Sequence, residues 1–294
     1  MNHRQIIPSI AIVTLALAIP TASAAQRFTG RVDIVTHTLG MQELLELVGE
    51  NVTTVMDLPV DAIRTAPGVR TEAYLAKVRG SVVYIVTDEG DVRVDYETGR
   101  FAMYDPANDV HATWTADELE EWMASMMGGG AGAGADMAST MALMRGAMGV
   151  TEEEPEGPYP LDREDDCGTW WAGKMGTVDF EGNPMQPGWI LHMCVTQDHP
   201  DAWQSYKAMT DASSQLNPMN SEDAEDRMES AILEHGMPTI TKLLKKGGDM
   251  SPSLEFAVTV VKVTPGPVSA EEVEPKGREV TLQEFMDLRM RGMR

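Results

Sequence analysis

Basic residues are scarce in this chain: 23 lysines and arginines stand against 46 aspartates and glutamates, a formal net charge of −23. Such a surface repels nucleic-acid phosphates and anionic lipid headgroups, which argues against a nucleic-acid partner and favours cationic ones. Cysteine is nearly absent. Cys167 and Cys194 are the only two, and they lack the C-x-x-C spacing of redox motifs and the paired spacing of zinc sites. Long apolar runs are missing after the N-terminus, so no later segment has the roughly 18 residues of a membrane-spanning helix, and no stable membrane insertion is expected. Catalytic signatures are missing as well: no G-x-S-x-G elbow, P-loop, strand-linked G-x-G-x-x-G or H-E-x-x-H is present. His111, His192, His199 and His235 are scattered, and the acidic run Asp162 to Asp166 lacks the Asp/Asn alternation and glycine of a calcium loop. The sequence therefore assigns no catalytic residue, no metal ligand and no cofactor, and the expected protein is not an enzyme.

What is present begins with an export signal. Arg4 supplies a positive start, Ile6 to Ile19 is almost continuously apolar, Pro20 breaks the helix, and Ala22-Ser23-Ala24 gives the small-x-small pattern that a signal peptidase reads. Residues 1–25 are expected to be removed, with cleavage after Ala24 or Ala25. No cysteine follows for lipid attachment, so the mature chain is expected in the periplasm or outside the cell. In that oxidising setting an isolated cysteine pair reads as a disulfide, Cys167–Cys194.

Residues 26–294 read as a single α+β domain. Phe28, Gly30, Val32 and Ile34 alternate with polar residues, the period of a half-buried strand. Leu44, Leu45, Leu47 and Val48 cluster as in a helix, and Pro59 and Pro67 mark a connection. From Thr71 to Trp114 short β-rich runs are separated by Asp88-Glu89-Gly90, Glu97-Thr98-Gly99 and Asp105-Pro106, which predicts an antiparallel meander. Thr115 and Glu118 form a capping box for the next helix, and Thr281 and Glu284 another for the last. Strands are predicted again at Trp170 to Phe180, Trp189 to Thr196 and Leu254 to Val263, with helices from Pro200 and from Ser221 between them. Strands early and late, with helices between, indicate α+β with a mostly antiparallel sheet.

An insertion is expected at about 116–166: a helix, the Gly/Ala loop Gly128 to Gly134, a second helix from Asp136, and an acidic, proline-bearing linker from Thr151 to Asp166. Methionine is concentrated there. Met137, Met141, Met144 and Met148 share one helical face, and Met123 and Met126 lie on the helix before. Methionine fills irregular apolar space, so this stripe reads as a soft core or lid face, as an adaptable surface for a lipid, acyl chain or peptide, or as thioether ligands for Cu(I). Trp170, Trp171 and Trp189 gather near the cysteines, either as core or as lining of an apolar hollow.

Several short pieces together carry a resemblance. They are Tyr104-Asp105-Pro106 closing the meander, the Met-rich middle helix, Trp189-Ile190 followed by Asp198, Gly236-Met237-Pro238 before the strand Phe256 to Val263, and Glu274-Pro275-Lys276-Gly277 near the end. This layout resembles an uncharacterised family of bacterial exported proteins, itself similar to the LolA-type periplasmic lipoprotein carriers. Arg278 departs from the family, which places an aromatic after that glycine. The resemblance implies a curved, half-barrel-like sheet packed with helices around an apolar hollow, and it brings no catalytic residues. The expected function is binding of an apolar small molecule or lipid between sheet and helices, with Met123, Met126, Met137, Met141, Met144 and Met148 as candidate contacts. Cu(I) binding by the same methionines and a ligand-free structural role are the alternatives.

Overall fold

The computed structural model describes residues 28–87, 90–126, 151–152, 155–178, 184–213, 224–246 and 254–292. The expected export signal, Gly/Ala loop and helix of Met137, Met141, Met144 and Met148 lie outside these residues.

The chain runs β1 (Thr29–Gly40), α1 (Met41–Val48), a 3-10 turn (Val52–Asp57), α2 (Val60–Arg64), then the meander β2 (Arg70–Arg79), β3 (Val82–Val86), β4 (Val92–Asp95), β5 (Arg100–Asp105) and β6 (Val110–Thr115). Next come α3 (Ala116–Met126), β7 (Thr151–Glu152), β8 (Glu156–Asp165), β9 (Gly168–Val178) and β10 (Pro184–Thr196). Last are α4 (Pro200–Ser213), α5 (Ala224–Leu233), β11 (Met237–Lys246), β12 (Leu254–Pro265), a 3-10 turn (Glu271–Val273), β13 (Arg278–Glu279) and α6 (Leu282–Gly292). The protein is therefore α+β. Its described strands form one sheet of thirteen, in the order β13-β6-β5-β4-β3-β2-β1-β12-β11-β10-β9-β7, with β8 also on β9. The sheet is not closed into a barrel, and every described pairing is antiparallel except the parallel contact of β13 with β6. No described helix is long and apolar enough to cross a membrane.

Strand alternation sorts the side chains into two faces. On one face, Trp114, Phe101, Val94, Val83 and Val78 stand directly across from one another over β6 to β2. The same face carries Val32, Val261, Trp189, Leu191 and Met193, and on these lie Ala202 and Tyr206 of α4 and Met228, Ile232 and Leu233 of α5. Each of the larger side chains contributes roughly 1.5–3 kcal/mol by leaving water. Helix α5 approaches β9 so closely that a Cβ on Gly173 would lie 2.5 Å from Met228 Cγ and would oblige the Met228 side chain to move. At the other end of this face Phe285 of α6 packs on Trp114, with Leu119 of α3 beside them. The predicted capping box of α3 is formed: Thr115 N–H donates to Glu118 Oε2 at 2.7 Å, and Glu118 N–H to Thr115 Oγ1 at 3.3 Å.

The opposite face carries two braces. Residues 41–66 cover β1, β12 and β11 through Leu44, Val55, Met56 and Ile63 against Leu39, Phe256, Val258 and Leu244. After β12 the chain crosses the remaining strands as a strap. Val268 and Val273 pack on Tyr84, Glu272 pairs with Arg31 at 2.8 Å, Arg93 Nε donates to the Val273 carbonyl at 3.1 Å, and Lys276 reaches Asp91. It then rounds the β6 edge through β13 and delivers α6 to the first face.

Two expectations change. The acidic stretch from Thr151 is not a linker: β7 and β8 pair with β9. Its prolines are tolerated because, among the described residues, β8 has a sheet neighbour on one side only, so that missing N–H donors cost little on the other, and its register is interrupted twice. Strand β11 was not predicted, because its lysines mask the alternation of Ile240, Lys242 and Leu244.

Candidate functional site

On the α4/α5 face the buried core is ringed by apolar side chains that remain partly exposed. These are Ile34 from β1, Ile85 from β3, Trp171 from β9, Leu243 from β11 and Val263 from β12, with Tyr96 from the turn after β4 and Trp203 from α4 beside them. Period-two geometry puts all the strand residues on one face: Trp171 lies opposite Met193, Leu243 opposite Leu191, and Val263 opposite Val32. Trp171 stacks on His235, ring centroids 3.6 Å apart and nearly parallel. The Trp171 indole N–H is buried without a hydrogen-bond partner, whereas that of Trp203 donates to the Leu233 carbonyl. This surface is apolar with one unanswered donor, and it offers adsorption and packing rather than proton transfer.

The opposite face holds a buried row of polar side chains around one cation, Lys242. Ala172, His192, Lys242, Val258, His37 and Thr71 are successive cross-strand partners over β9, β10, β11, β12, β1 and β2. Lys242 is 1% exposed. Its Nζ donates to the carbonyls of Met56 at 2.8 Å and Leu58 at 2.6 Å, which tie the 52–58 segment to the sheet. Trp170 lies beneath it, with the Lys242 ammonium 5.4 Å and the Arg163 guanidinium 4.5 Å from the ring centroid. The three tryptophans therefore divide: Trp171 and Trp189 serve the α4/α5 face, Trp170 the other.

His192 Nδ1 is buried without a partner. Burial first, then the positive charges of Lys242 and Arg163, push its imidazole down to about 4 against an opposing pull from Asp57. His37, bonded through Nδ1 to Thr71 Oγ1 at 2.9 Å, is lowered by burial and by Arg64. Both rings are neutral in the fold and bind protons more readily when unfolded, so stability is complete above about pH 6.5 and declines as pH falls from there towards 4. Glu272, held below the usual carboxyl range by the Ser269 N–H and Arg31, loses its contribution only at lower pH. His192→Asn is expected to flatten the pH 6.5 to 4 limb of a urea-stability profile by on the order of 1 kcal/mol, since the ring is partly solvated. An unchanged limb would show that His192 is not the group being protonated.

Cys167 and Cys194 are paired, with S–S 2.11 Å, and the pair joins the β8–β9 turn to β10. Thr239 Oγ1 donates to both cysteine carbonyls at 3.2 Å, so β11 is drawn into the same junction. Met123 and Met126 fall on α3, whose side chains at these positions lie outside the described residues, as do Met137, Met141, Met144 and Met148 entirely. Among the described residues, no group of three or more His, Cys, Asp or Glu side chains is arranged to hold a metal ion. His111 is engaged through Nδ1 with the Lys276 carbonyl at 2.8 Å. The half-buried ring of Ile34, Ile85, Leu243 and Val263 was not singled out by sequence, because no single strand reveals which of its apolar residues stay partly uncovered.

No protein-family model matches the chain, and no curated protein matches it.

Proposed function

We propose that the protein is a non-enzymatic binding protein of the bacterial envelope that holds an apolar ligand, a lipid, acyl chain or apolar peptide, between its sheet and helices α4 and α5. The observation that supports this reading is the ring of partly exposed apolar side chains from five strands on that face. A sheet face rimmed by apolar side chains that are only partly buried is suited to an occupant that removes the rest of their surface from water. On this reading the open sheet is curved like the half-barrel of the LolA-type carriers, and the protein works in the periplasm, where its export signal and disulfide belong.

Native mass spectrometry of the mature protein, gently extracted from its own envelope, tests the proposal. The expected result is an added mass of several hundred daltons, lost on organic extraction and absent from an Ile34→Asn variant that keeps its circular dichroism. A bare processed mass from the unsubstituted protein would overturn it, and a mass increment of one copper ion would transfer the function to the methionines.

A further inference from the structure

The end of the C-terminal strap occupies a pocket whose walls have the chemistry of an ammonium receptor. Asp91 is 5% exposed, yet its Oδ2 accepts from the Tyr84 hydroxyl at 2.6 Å and from Lys276 Nζ at 2.7 Å. The same ammonium lies 6.0 Å from the Tyr84 ring centroid and 5.8 Å from that of Tyr104. Tyr104 is steadied by its hydroxyl donating to Asp109 Oδ1 at 3.0 Å, and its N–H donates to the Asp91 carbonyl at 2.8 Å. Two aromatic faces around a buried carboxylate bind a cation by quadrupole attraction, direct charge and a hydrogen bond together.

The pocket is built independently of the residue that fills it: Tyr84, Asp91 and Tyr104 come from the β3–β5 meander, and Lys276 arrives 185 residues after Asp91. Lys276 keeps 59% of its side chain exposed, so its stem is open to solvent while its tip is engaged. Gly277 follows at φ +73, and a Cβ there would lie 2.5 Å from the Asp109 carbonyl oxygen and 2.9 Å from the Tyr104 ring, so the strap reaches the pocket only with glycine at this position. These contacts give a packing reason for Tyr104 and for Lys276-Gly277.

We infer that Tyr84, Asp91 and Tyr104 form a binding site for a primary alkylammonium group, occupied in cis by Lys276. The chain's net charge of −23 concentrates such cations at its surface. A lysine side chain beyond its Cα is n-butylammonium, which is therefore the probe.

In Lys276→Ala the site is left open. n-Butylammonium chloride at about 100 mM is expected to raise the melting temperature of this variant by about 4 °C more than it raises that of the unsubstituted protein, and more than sodium chloride at equal ionic strength. The added response should vanish in the Asp91→Asn/Lys276→Ala double variant. A response equal to that of sodium chloride, or one that survives Asp91→Asn, overturns the inference. Should Lys276→Ala not fold alone, it is refolded with and without the probe: recovery only with n-butylammonium supports the site, and no recovery overturns it.

Discussion

Lys242→Ala is expected to destabilise the protein by about 3 kcal/mol or more in urea unfolding. The carbonyls of Met56 and Leu58 lose the ammonium that answers them, at roughly 1–3 kcal/mol for each buried acceptor left unpaired, and the aliphatic stem leaves a cavity above Trp170. Lys242→Met separates the two effects. It fills the stem's volume and removes the cost of burying a charge, so its loss should be about 1 kcal/mol. Both variants remove a positive charge beside His192, whose imidazole then titrates above its value of about 4. Amide exchange should quicken first in residues 52–58, the segment that Lys242 holds to the sheet. Stability of the alanine variant equal to that of the unsubstituted protein would mean that the ammonium bonds contribute nothing net.

Opening the disulfide is expected to have an effect of similar size. Cys167 and Cys194 are separated by 27 residues, and closing a loop of that length restricts the unfolded chain by about 3–4 kcal/mol on the chain-entropy estimate. In a chain of this size that corresponds to a fall in melting temperature of roughly 6–15 °C. The comparison should use Cys167→Ala/Cys194→Ala, because Cys194 is fully buried and a serine there would add an unpaired hydroxyl. The β8–β9 turn is expected to loosen before the rest, since Thr239 answers the carbonyls of both cysteines and loses that alignment with the bridge. A melting temperature unchanged by full reduction, with the free thiols counted by mass, would contradict this account.

Much of the fold was legible because local rules and tertiary need coincide. The meander from β2 to β6 follows its turn residues and alternating valines, and the Thr115–Glu118 box is formed as its spacing requires. The failures have definite causes. Strand β8 was hidden because acid and proline content describes a solvated edge as well as a linker; only pairing with β9 separates the two. Strand β11 was hidden because Lys242 occupies an inward position, which a hydrophobic pattern scores as outward, and two main-chain carbonyls from a segment 186 and 184 residues away make it tolerable there. The candidate binding face follows the same logic. Its members come from five strands, a turn and a helix scattered over the chain, and each looks like ordinary core in its own segment.

The sequence by itself determined the acidic balance, the α+β class, the antiparallel meander and the cysteine pair, because each depends on composition or on neighbours a few residues apart. Tertiary structure alone decided that β1 pairs with β12 as well as β2, that the C-terminal strap crosses β1 to β4 to seat Lys276 on Asp91, and which apolar residues remain only partly buried beside α4 and α5. Those outcomes depend on partners far apart in the chain, whose meeting is set by sheet register and by the burial of a face that no local window contains.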